Sequence, residues 1–462
     1  MPEGLSDLPR FPIDTMDERM ARAAWSRLAE PADVVAGALV GALGAGPALG
    51  WLVEAVRAPA AASAELARME AGQRVARTLS DDVDADGGGG RGRPGGGESG
   101  SGGGGARGGR GGAGSGGSGG RGGSGGRRAP GSSARVLMAG VRRWAQRLES
   151  LDPARDLEAL ERLGGTLLVP GEPGWPEPLA ALGSAAPTAL WVRGRADLAG
   201  LTRRSVSLVG ARASTGYGEA VAQEMARGLV GRGFTVVSGG AYGIDAVAHR
   251  ATLAVGGSTV VLLASGVDRL YPAANSRLMR AALKDGAVVS EVPPGSVPFR
   301  QRFLARNRII AALGGATVVV EAARRSGALS TANHATSIAR PVGAVPGPVT
   351  SMASTGCHDL LRSGAAVCVT DDAEAAELAG DLMADAVPEP AVEQRPEDGL
   401  DPVARQVLDA LPVRQAAPVE SVATVAGLGV PDVRAKLGSL LIKGLAEKDA
   451  GSWRRARPPR TS

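Results

Sequence analysis

Residues 205–218, SVSLVGARASTGYG, and residues 234–245, FTVVSGGAYGID, decide the fold that this sequence predicts. In each segment an apolar run ends abruptly in a glycine turn, which begins at Gly210 in the first and at Ser238 in the second. Such runs are typical of buried parallel strands that lead into helices. Glycine turns at the carboxyl ends of parallel strands leave N–H groups and helix N-termini free to bind anions, above all phosphate. The two segments therefore predict a phosphate-binding edge of a sheet.

The same alternation continues along the chain. Strands are predicted at 205–209, 234–238, 258–263, 287–290, 316–321 and 341–345. Helices are predicted to begin between them, near Gly218, Asp245, Asn275, Arg302 and Ser330. Continuous apolar strands require a sheet that is covered on both faces. The predicted fold is a doubly wound, mainly parallel α/β sheet of the Rossmann type, whose ligand lies across the carboxyl ends of the strands.

Size and composition limit the possible classes of protein. A chain of 462 residues corresponds to about two to four domains and, with 44% hydrophobic residues, fills a large core. The net charge is +5, and arginine accounts for nearly all of the 52 basic residues. Arginine favours bidentate contacts to phosphate or carboxylate, although a GC-rich genome is an alternative source of it. Two cysteines, Cys357 and Cys368, give neither a disulfide framework nor a metal cluster.

The ends and the flanks of the sheet segment predict further domains. The N-terminus has no signal-peptide pattern, and the apolar stretch 36–53 is broken by glycines, so we expect a cytoplasmic protein without a membrane span. The predicted organisation is a helical domain (1–86), a disordered Gly/Ser/Arg-rich insertion (87–134), the α/β core (135–370), a linker (371–400), three helices and a hairpin forming a winged-helix-like domain (401–453), and a basic tail (454–462).

Two of these flanking segments have alternative interpretations. The sequence 38–56, ALVGALGAGPALGWLVEAV, pairs two helices across a short turn. It fits either a helix-hairpin-helix that presents N–H groups to a nucleic-acid phosphate or a plain helical turn. The insertion at 87–134 fits either an electrostatic tether for nucleic acid or a flexible insertion without a binding role.

The first glycine turn argues against two common cofactors. A dinucleotide fingerprint needs glycine two positions after Gly210, where Arg212 stands, and the second strand is not followed by an acidic residue that would hold a ribose. A Walker A loop needs lysine, and this segment has none. We therefore expect that the protein neither binds NAD nor hydrolyses ATP, and that it uses no cofactor.

The residues after the first strand suit a phosphodiester that is bound without being cut. Arg212 supplies a fixed guanidinium, Ser214 and Thr215 supply hydroxyl groups, and the turn at Gly216 and Gly218 supplies backbone amides. The alternative for Arg212 is a surface ion pair.

A hydrolase triad is the catalytic alternative for the second turn. Asp245 and His249 lie at i and i+4 on one helix face, and Ser238 precedes them. The GxSxG elbow of such hydrolases is missing, and Asp245 stands where a helix N-cap belongs. We therefore predict a structural cap with a buried or capping histidine.

Two later segments extend the candidate site. Asn307, between Arg306 and Arg308, is predicted to open a helix near the same edge of the sheet and to extend its basic surface. Ser326 and Gly327 form another turn suited to anions. We expect Glu321, at a strand end, to hold the arginines in position rather than to act in catalysis.

Taken together, these segments resemble the DNA-processing protein A (DprA, also called Smf) family. The resemblance covers about residues 140–370 in unbroken order and rests on VGARASTGYG, SGGAYGIDAVAH, GVDRLYP, SEVPPG, FLARNRIIA, VVVEAARRSGALSTA, AVPGP and LLRSGA. It implies an extended Rossmann fold that binds and protects single-stranded DNA, loads the recombinase RecA onto it during natural transformation, forms a homodimer, and is not an enzyme. The flanking helices are similar to the family's helical N-terminal and winged-helix C-terminal domains.

The resemblance also implies a set of DNA-binding residues. Arg212 matches the arginine of the family's VGSR motif, the second turn matches SGxAxGID, and Arg306 to Arg308 match RNR. Tyr242 stands where many members have a basic residue, as do Ala273 and Ala274, so either stacking on Tyr242 or the arginine-rich insertion is expected to compensate. With the turns described above, the candidate DNA-binding set is Gly210, Arg212, Ser214, Thr215, Gly216, Gly218, Ser238, Gly239, Gly240, Tyr242, Gly243, Asp245, Arg306, Asn307, Arg308, Ser326 and Gly327.

Two other functions remain open at this point. The first is an enzyme of a related Rossmann group that cleaves nucleoside monophosphates at the N-glycosidic bond. That group carries a PGGxGTxxE signature, which the corresponding residues 314–332 lack. The second is an interaction scaffold that works through the winged helix and the insertion.

Overall fold

The computed structural model describes residues 17–87, 131–380, 385, 386, 397 and 399–456. The chain divides into two compact units, Met1–Val387 and Pro388–Ser462. The predicted disordered insertion lies outside the described residues, except for its first residue and its last four, which belong to helices.

The first unit is built on a nine-stranded sheet. Its strands are β1 (Gly165–Leu168), β2 (Leu190–Gly194), β3 (Ser205–Gly210), β4 (Thr235–Ser238), β5 (Thr259–Leu263), β6 (Ala287–Ser290), β7 (Ala316–Glu321), β8 (Val342–Ala344) and β9 (Val367–Cys368). The order across the sheet is β1-β2-β6-β5-β4-β3-β7-β8-β9. From β6 to β9 all neighbours are parallel, and β1 and β2 are antiparallel additions at one edge. The prediction of a mainly parallel α/β sheet is confirmed.

The strand order places a topological switch point beside β3. The chain proceeds from β3 through β4 and β5 to β6 in one direction and then returns to β7 on the other side of β3. Connections leave β3 and β7 toward opposite sides of the sheet, which opens a crevice at their carboxyl ends. The binding edge that the sequence predicts therefore lies at this crevice.

Helices cover both faces of the sheet, as the apolar strands require. They are α8 (Leu198–Thr202), α9 (Gly216–Gly231), α10 (Ile244–Ala254), α11 (Ser276–Ala282), α12 (Arg300–Leu313), α13 (Gly327–Ser337), α14 (Thr355–Arg362) and α15 (Asp372–Ala379). On one face α12 and α13 pack on strand residues such as Val209, and on the other α9, α10 and α15 pack on residues such as Leu208. Residues 372–379 were predicted as part of a linker, but they form the helix α15. The helix belongs to the core because Ala375 and Ala376 are buried there.

Seven helices precede the core strands. They are α1 (Glu18–Leu28), α2 (Val34–Leu43), α3 (Ala45–Arg57), α4 (Pro59–Arg68), α5 (Glu70–Gly87), α6 (Gly131–Leu148) and α7 (Pro153–Arg162). Of these, α1 and α7 pack against β1 and β2 through residues such as Ala23 and Leu160. Trp25 and Trp144 pack in the core that α1 to α6 share. Their ring centroids lie 5.2 Å apart in an edge-to-face arrangement. Among the described helices, none alone is long and apolar enough to span a membrane. The pair α2 and α3, bent by 115°, reaches that length and composition only together.

The second unit contains the predicted three helices and hairpin. They are α16 (Pro402–Asp409), α17 (Val419–Ala426), α18 (Val430–Ile442), β10 (Ala446–Asp449) and β11 (Ser452–Arg455), packed around residues such as Leu437 and Trp453. Its assignment as a winged helix stays a prediction. Arg454 and Arg455, predicted to begin a basic tail, instead lie in β11 and pair with Glu447 and Glu397.

Candidate nucleic-acid interface

A cleft of about 730 Å³ opens at the switch point. Its walls are the loop after β3, the amino-terminal half of α12, and the turn that leads from β7 into α13. The lining residues are Val209, Gly210, Ala211, Arg212, Ala213, Ala241, Asp245, Arg300, Phe303, Leu304, Arg306, Asn307, Ile310, Ala323, Arg325, Ser326, Gly327, Ala328, Thr331 and Ala353.

Three exposed arginines line this cleft without an acidic partner. Arg212, Arg300 and Arg325 form no ion pair with any residue that the structure describes. Arg324, the neighbour of Arg325 in sequence, differs because its Nε donates to Asp359 Oδ2 at 2.9 Å and it does not line the cleft. We call Arg212, Arg300 and Arg325 the rim arginines. Their guanidinium groups are available to bind an anion.

Two aromatic rings lie on the side of the cleft that carries Arg212. The guanidinium carbon of Arg212 lies 5.1 Å from the ring centroid of Phe303, within the range of a cation–π contact. The ring of Phe303 in turn lies 6.0 Å from that of Tyr271, which is exposed. Charge and a flat apolar surface therefore meet on one side of the cleft, as they do in sites that bind single-stranded nucleic acid.

Arg306 forms part of the buried floor of the cleft. Its guanidinium donates to the carbonyl oxygen of Gly239 at 2.6 Å and to that of Leu262, and so joins the segments at the ends of β4 and β5. Burial lowers the pKa of Arg306 to about 10, with Asp245 acting in the opposite direction. Arg306 remains a cation at neutral pH, and its Nη1 group, bound to both carbonyl oxygens, holds the two segments in place.

Asp245 is the carboxylate whose charge acts on Arg306 in the floor of the cleft. It is the second residue of α10, whose N-cap is Gly243, so the prediction that Asp245 is the N-cap was wrong. Gly243 has φ +74°, and a Cβ there would approach the carbonyl oxygen of Ala211 to 2.2 Å, so this turn requires glycine. Burial raises the pKa of Asp245, and the charge of Arg306 opposes that rise.

Two residues of the alternative triad, Ser238 and His249, bind partners outside the triad. Ser238 Oγ donates to the carbonyl oxygen of Leu208 at 2.6 Å. His249 Nδ1 lies 2.7 Å from Thr259 Oγ1, and burial lowers the histidine pKa to about 3. The geometry supports the prediction of a buried histidine rather than a nucleophile and base facing a substrate.

The hydroxyl groups of Ser214 and Thr215 and the N–H of Gly218 are bound within the protein, contrary to the prediction that they are available to DNA. Thr215 is the N-cap of α9, and both its N–H and its hydroxyl donate to the carboxylate of Glu321, at 2.9 and 2.7 Å. The N–H of Gly218 donates to Thr215 Oγ1 at 3.2 Å, and Ser214 Oγ donates to Glu219 at 2.7 Å. The expectation that Glu321 holds the arginines was also wrong, because it binds Thr215 instead.

Arg308 does not extend the basic surface, because it points away from the cleft. Its side chain is only 2% exposed and forms a two-pronged ion pair with Glu291, at 2.6 and 2.9 Å. Its Nε donates to the carbonyl oxygen of Ala185 at 2.8 Å. The interactions of Arg308 within the protein are therefore those of a structural residue. Its neighbour Asn307 does line the cleft and donates to the carbonyl oxygen of Gly327 at 3.3 Å.

The cleft thus brings together part of the candidate set. Lining it are Gly210, Arg212, Asp245, Arg306, Asn307, Ser326 and Gly327. Outside its lining lie Ser214, Thr215, Gly216, Gly218, Ser238, Gly239, Gly240, Tyr242, Gly243 and Arg308. Tyr242 is 50% exposed, and its stacking role stays a prediction. Arg300, Phe303 and Arg325 also line the cleft and were not among the predicted residues. In the described parts of the chain, no group of three or more potential metal ligands occurs.

Comparisons with known proteins find relatives of this sequence. The family model described as DNA recombination-mediator protein A matches residues 166–379. A DNA processing protein DprA of Mycobacterium tuberculosis is 46% identical over 320 residues, which are 65% of this chain and 79% of that protein. The solved DprA of Streptococcus pneumoniae is 34% identical, with a TM-score of 0.46, over 51% of this chain and 80% of its own. That of Helicobacter pylori, described with a single-stranded DNA binding mode, is 26% identical, with a TM-score of 0.43, over 48% and 97%. The chain belongs to the DprA/Smf family of DNA processing proteins.

Proposed function

We propose that this protein is a recombination mediator that binds single-stranded DNA in the switch-point cleft. The rim arginines bind successive phosphates of the strand, and the bases lie toward Phe303 and Tyr271. The observation that carries the proposal is the set of three exposed arginines, none paired with an acid in the described chain, around one cleft of about 730 Å³. Unpaired arginines at a concave surface are suited to phosphate binding.

The aromatic side of the cleft favours a single strand over a duplex. The bases of a duplex are stacked on one another, whereas those of a single strand are free to stack on Phe303 or Tyr271, which lie 6.0 Å apart. The cleft volume is within the range of about 300–1,000 Å³ that is usual for small-molecule sites. It has room for part of a strand to enter with its bases unpaired.

We propose binding without catalysis. Asp245 is the one carboxylate among the described residues that line the cleft, and it is buried beside the cationic Arg306. Cleavage of a nucleoside monophosphate at its N-glycosidic bond would need an accessible acid or nucleophile at the sugar. The cleft therefore suits a ligand that is held and released unchanged, without a cofactor.

The finer features of the proposal come from family membership. We propose that the protein protects incoming DNA and transfers it to RecA during natural transformation in the cytoplasm, and that it does so as a homodimer. The edge strand β9, with Val367 53% exposed, presents backbone groups that another strand can pair with. Light scattering coupled to size-exclusion chromatography tests the dimer, and a monomer at working concentration would contradict it.

The decisive experiment is a fluorescence-anisotropy titration of the full chain against a labelled single strand at two salt concentrations. We expect salt-sensitive binding that an unlabelled single strand competes for better than the same sequence as a duplex. No binding at low salt, or equal competition by the duplex, would overturn the proposal. In the first case, assays for release of a base from nucleoside monophosphates would follow. Where the strand binds, RecA filament formation on protein-bound DNA tests the mediator step.

A further inference from the structure

The N-terminus of α9 already holds an anion, and that anion is part of the protein. In Rossmann-type folds a phosphate commonly binds where the first strand leads into its helix. Here the carboxylate of Glu321, from the end of the adjacent strand β7, occupies this place. Its two oxygens accept from the N–H and the hydroxyl of the N-cap residue Thr215, at 2.9 and 2.7 Å.

The carboxylate is enclosed rather than resting on the surface. Glu321 is 2% exposed, and no lysine or arginine among the described residues forms an ion pair with it. A Cβ at Gly218, in the first turn of α9, would lie 2.6 Å from Glu321 Oε2, so the helix and the carboxylate are in close contact. The N–H groups and the dipole of the helix N-terminus favour a negative charge here.

We propose that Glu321 is a specificity-determining residue that closes the N-terminus of α9 to phosphate monoesters. An entering phosphate would find the donors of Thr215 already used and would meet a charge of its own sign. DNA then binds only at the rim arginines, which contact the phosphodiesters along a strand and do not need a terminal phosphate. This inference rests on the proposed function, and it adds that free nucleotides and terminal phosphates are not recognised.

The test compares the full-length protein with Glu321→Ala, Glu321→Gln and the control Glu219→Gln. Glu219 is an exposed acid in the same first turn that binds Ser214. Isothermal titration calorimetry uses AMP and inorganic phosphate as probes. We expect no detectable binding by the wild type or by Glu219→Gln, whereas Glu321→Ala should bind both probes at least about tenfold more tightly than the wild type, the size of a favourable helix-terminus interaction. Glu321→Gln, which keeps the side-chain volume, should gain less.

A second readout does not depend on the stability of the variants. The wild type should bind a single strand with equal affinity whether its 5′ end carries a phosphate or a hydroxyl, whereas folded Glu321→Ala should prefer the phosphate. A wild-type preference for the 5′ phosphate, or competition by AMP for the labelled strand, would overturn the inference. So would a Glu321→Ala protein with a native circular-dichroism spectrum and no phosphate binding. If the wild type binds no DNA, the proposed function fails, and the phosphate titrations still decide the role of Glu321.

Discussion

Replacing Arg212 by alanine should weaken DNA binding in a way that depends on salt. Each phosphate contact to a single strand contributes about 0.7 to the slope of log affinity against log salt. Three rim arginines therefore give a wild-type slope of about −2, and Arg212→Ala should reduce it to about −1.4. Between about 50 and about 200 mM salt, the wild type should lose affinity about 18-fold and the variant about 7-fold. Loss of the contact between Arg212 and Phe303, at 5.1 Å, should add only a small term.

The assay is the anisotropy titration repeated over a series of salt concentrations, with two matched variants. Arg212→Lys keeps the positive charge and should keep the slope, although it loses the bidentate geometry. Arg324→Ala removes an arginine that is bound to Asp359 at 2.9 Å and does not line the cleft, so both affinity and slope should stay unchanged. An unchanged slope in Arg212→Ala, or an equal loss in Arg324→Ala, would refute the assignment of the rim arginines.

Three further predictions concern the interior and the aromatic side of the site. Arg308→Met should lower the free energy of unfolding by about 3–5 kcal/mol, because it leaves the carboxylate of Glu291 partly buried without its cation. If the folded variant instead showed a smaller salt dependence of DNA binding, this structural role would be contradicted. His249 has a pKa of about 3 in the folded protein because of its burial. The unfolded chain therefore takes up a proton below about pH 6.5 that the folded chain does not, and stability should fall by about 2 kcal/mol from pH 7 to pH 5. Urea unfolding of His249→Leu should lack this part of the pH dependence; Asp245, whose raised pKa acts with the opposite sign, is common to both proteins. Phe303→Ala should weaken the free energy of DNA binding by about 1–3 kcal/mol. Phe303→Leu should lose nearly as much, because stacking on a base needs the aromatic ring and not only a side chain of similar volume. Full affinity in both variants would exclude stacking at this position.

The strands of the core could be predicted from the sequence because their signal is local. Each is a mainly apolar run that ends in a glycine or polar turn. The six predicted strands differ from the observed ones by at most one residue at either end. Helix starts were predicted within three residues, since the capping residues lie beside them. The location of the cleft followed from fold class alone, because parallel strands place their carboxyl ends at one edge.

The occupancy of the α9 N-terminus could not be predicted in the same way. Glu321 lies 106 residues after Thr215. The two meet because β7 pairs with β3, and in sequence order β4, β5 and β6 all intervene. A turn that is rich in glycine, serine and threonine indicates available donors, but which anion receives them depends on the neighbouring strand. The hydroxyls of Ser214 and Thr215 were assigned to DNA for lack of that information.

The arginines of α12 show where a stronger local signal was present and was not used. Because RNR was treated as one motif, Arg306 and Arg308 were assigned the same role. In a helix of 3.6 residues per turn, two residues at i and i+2 point in different directions. Helical spacing instead groups Arg300 with residues at i+3, i+4 and i+7, namely Phe303, Leu304 and Asn307, and all four line the cleft. Arg308 lies on another face and reaches Glu291. In a basic helix that borders a binding edge, the face that carries an aromatic residue beside an arginine is therefore a better guide to the ligand than the number of adjacent arginines.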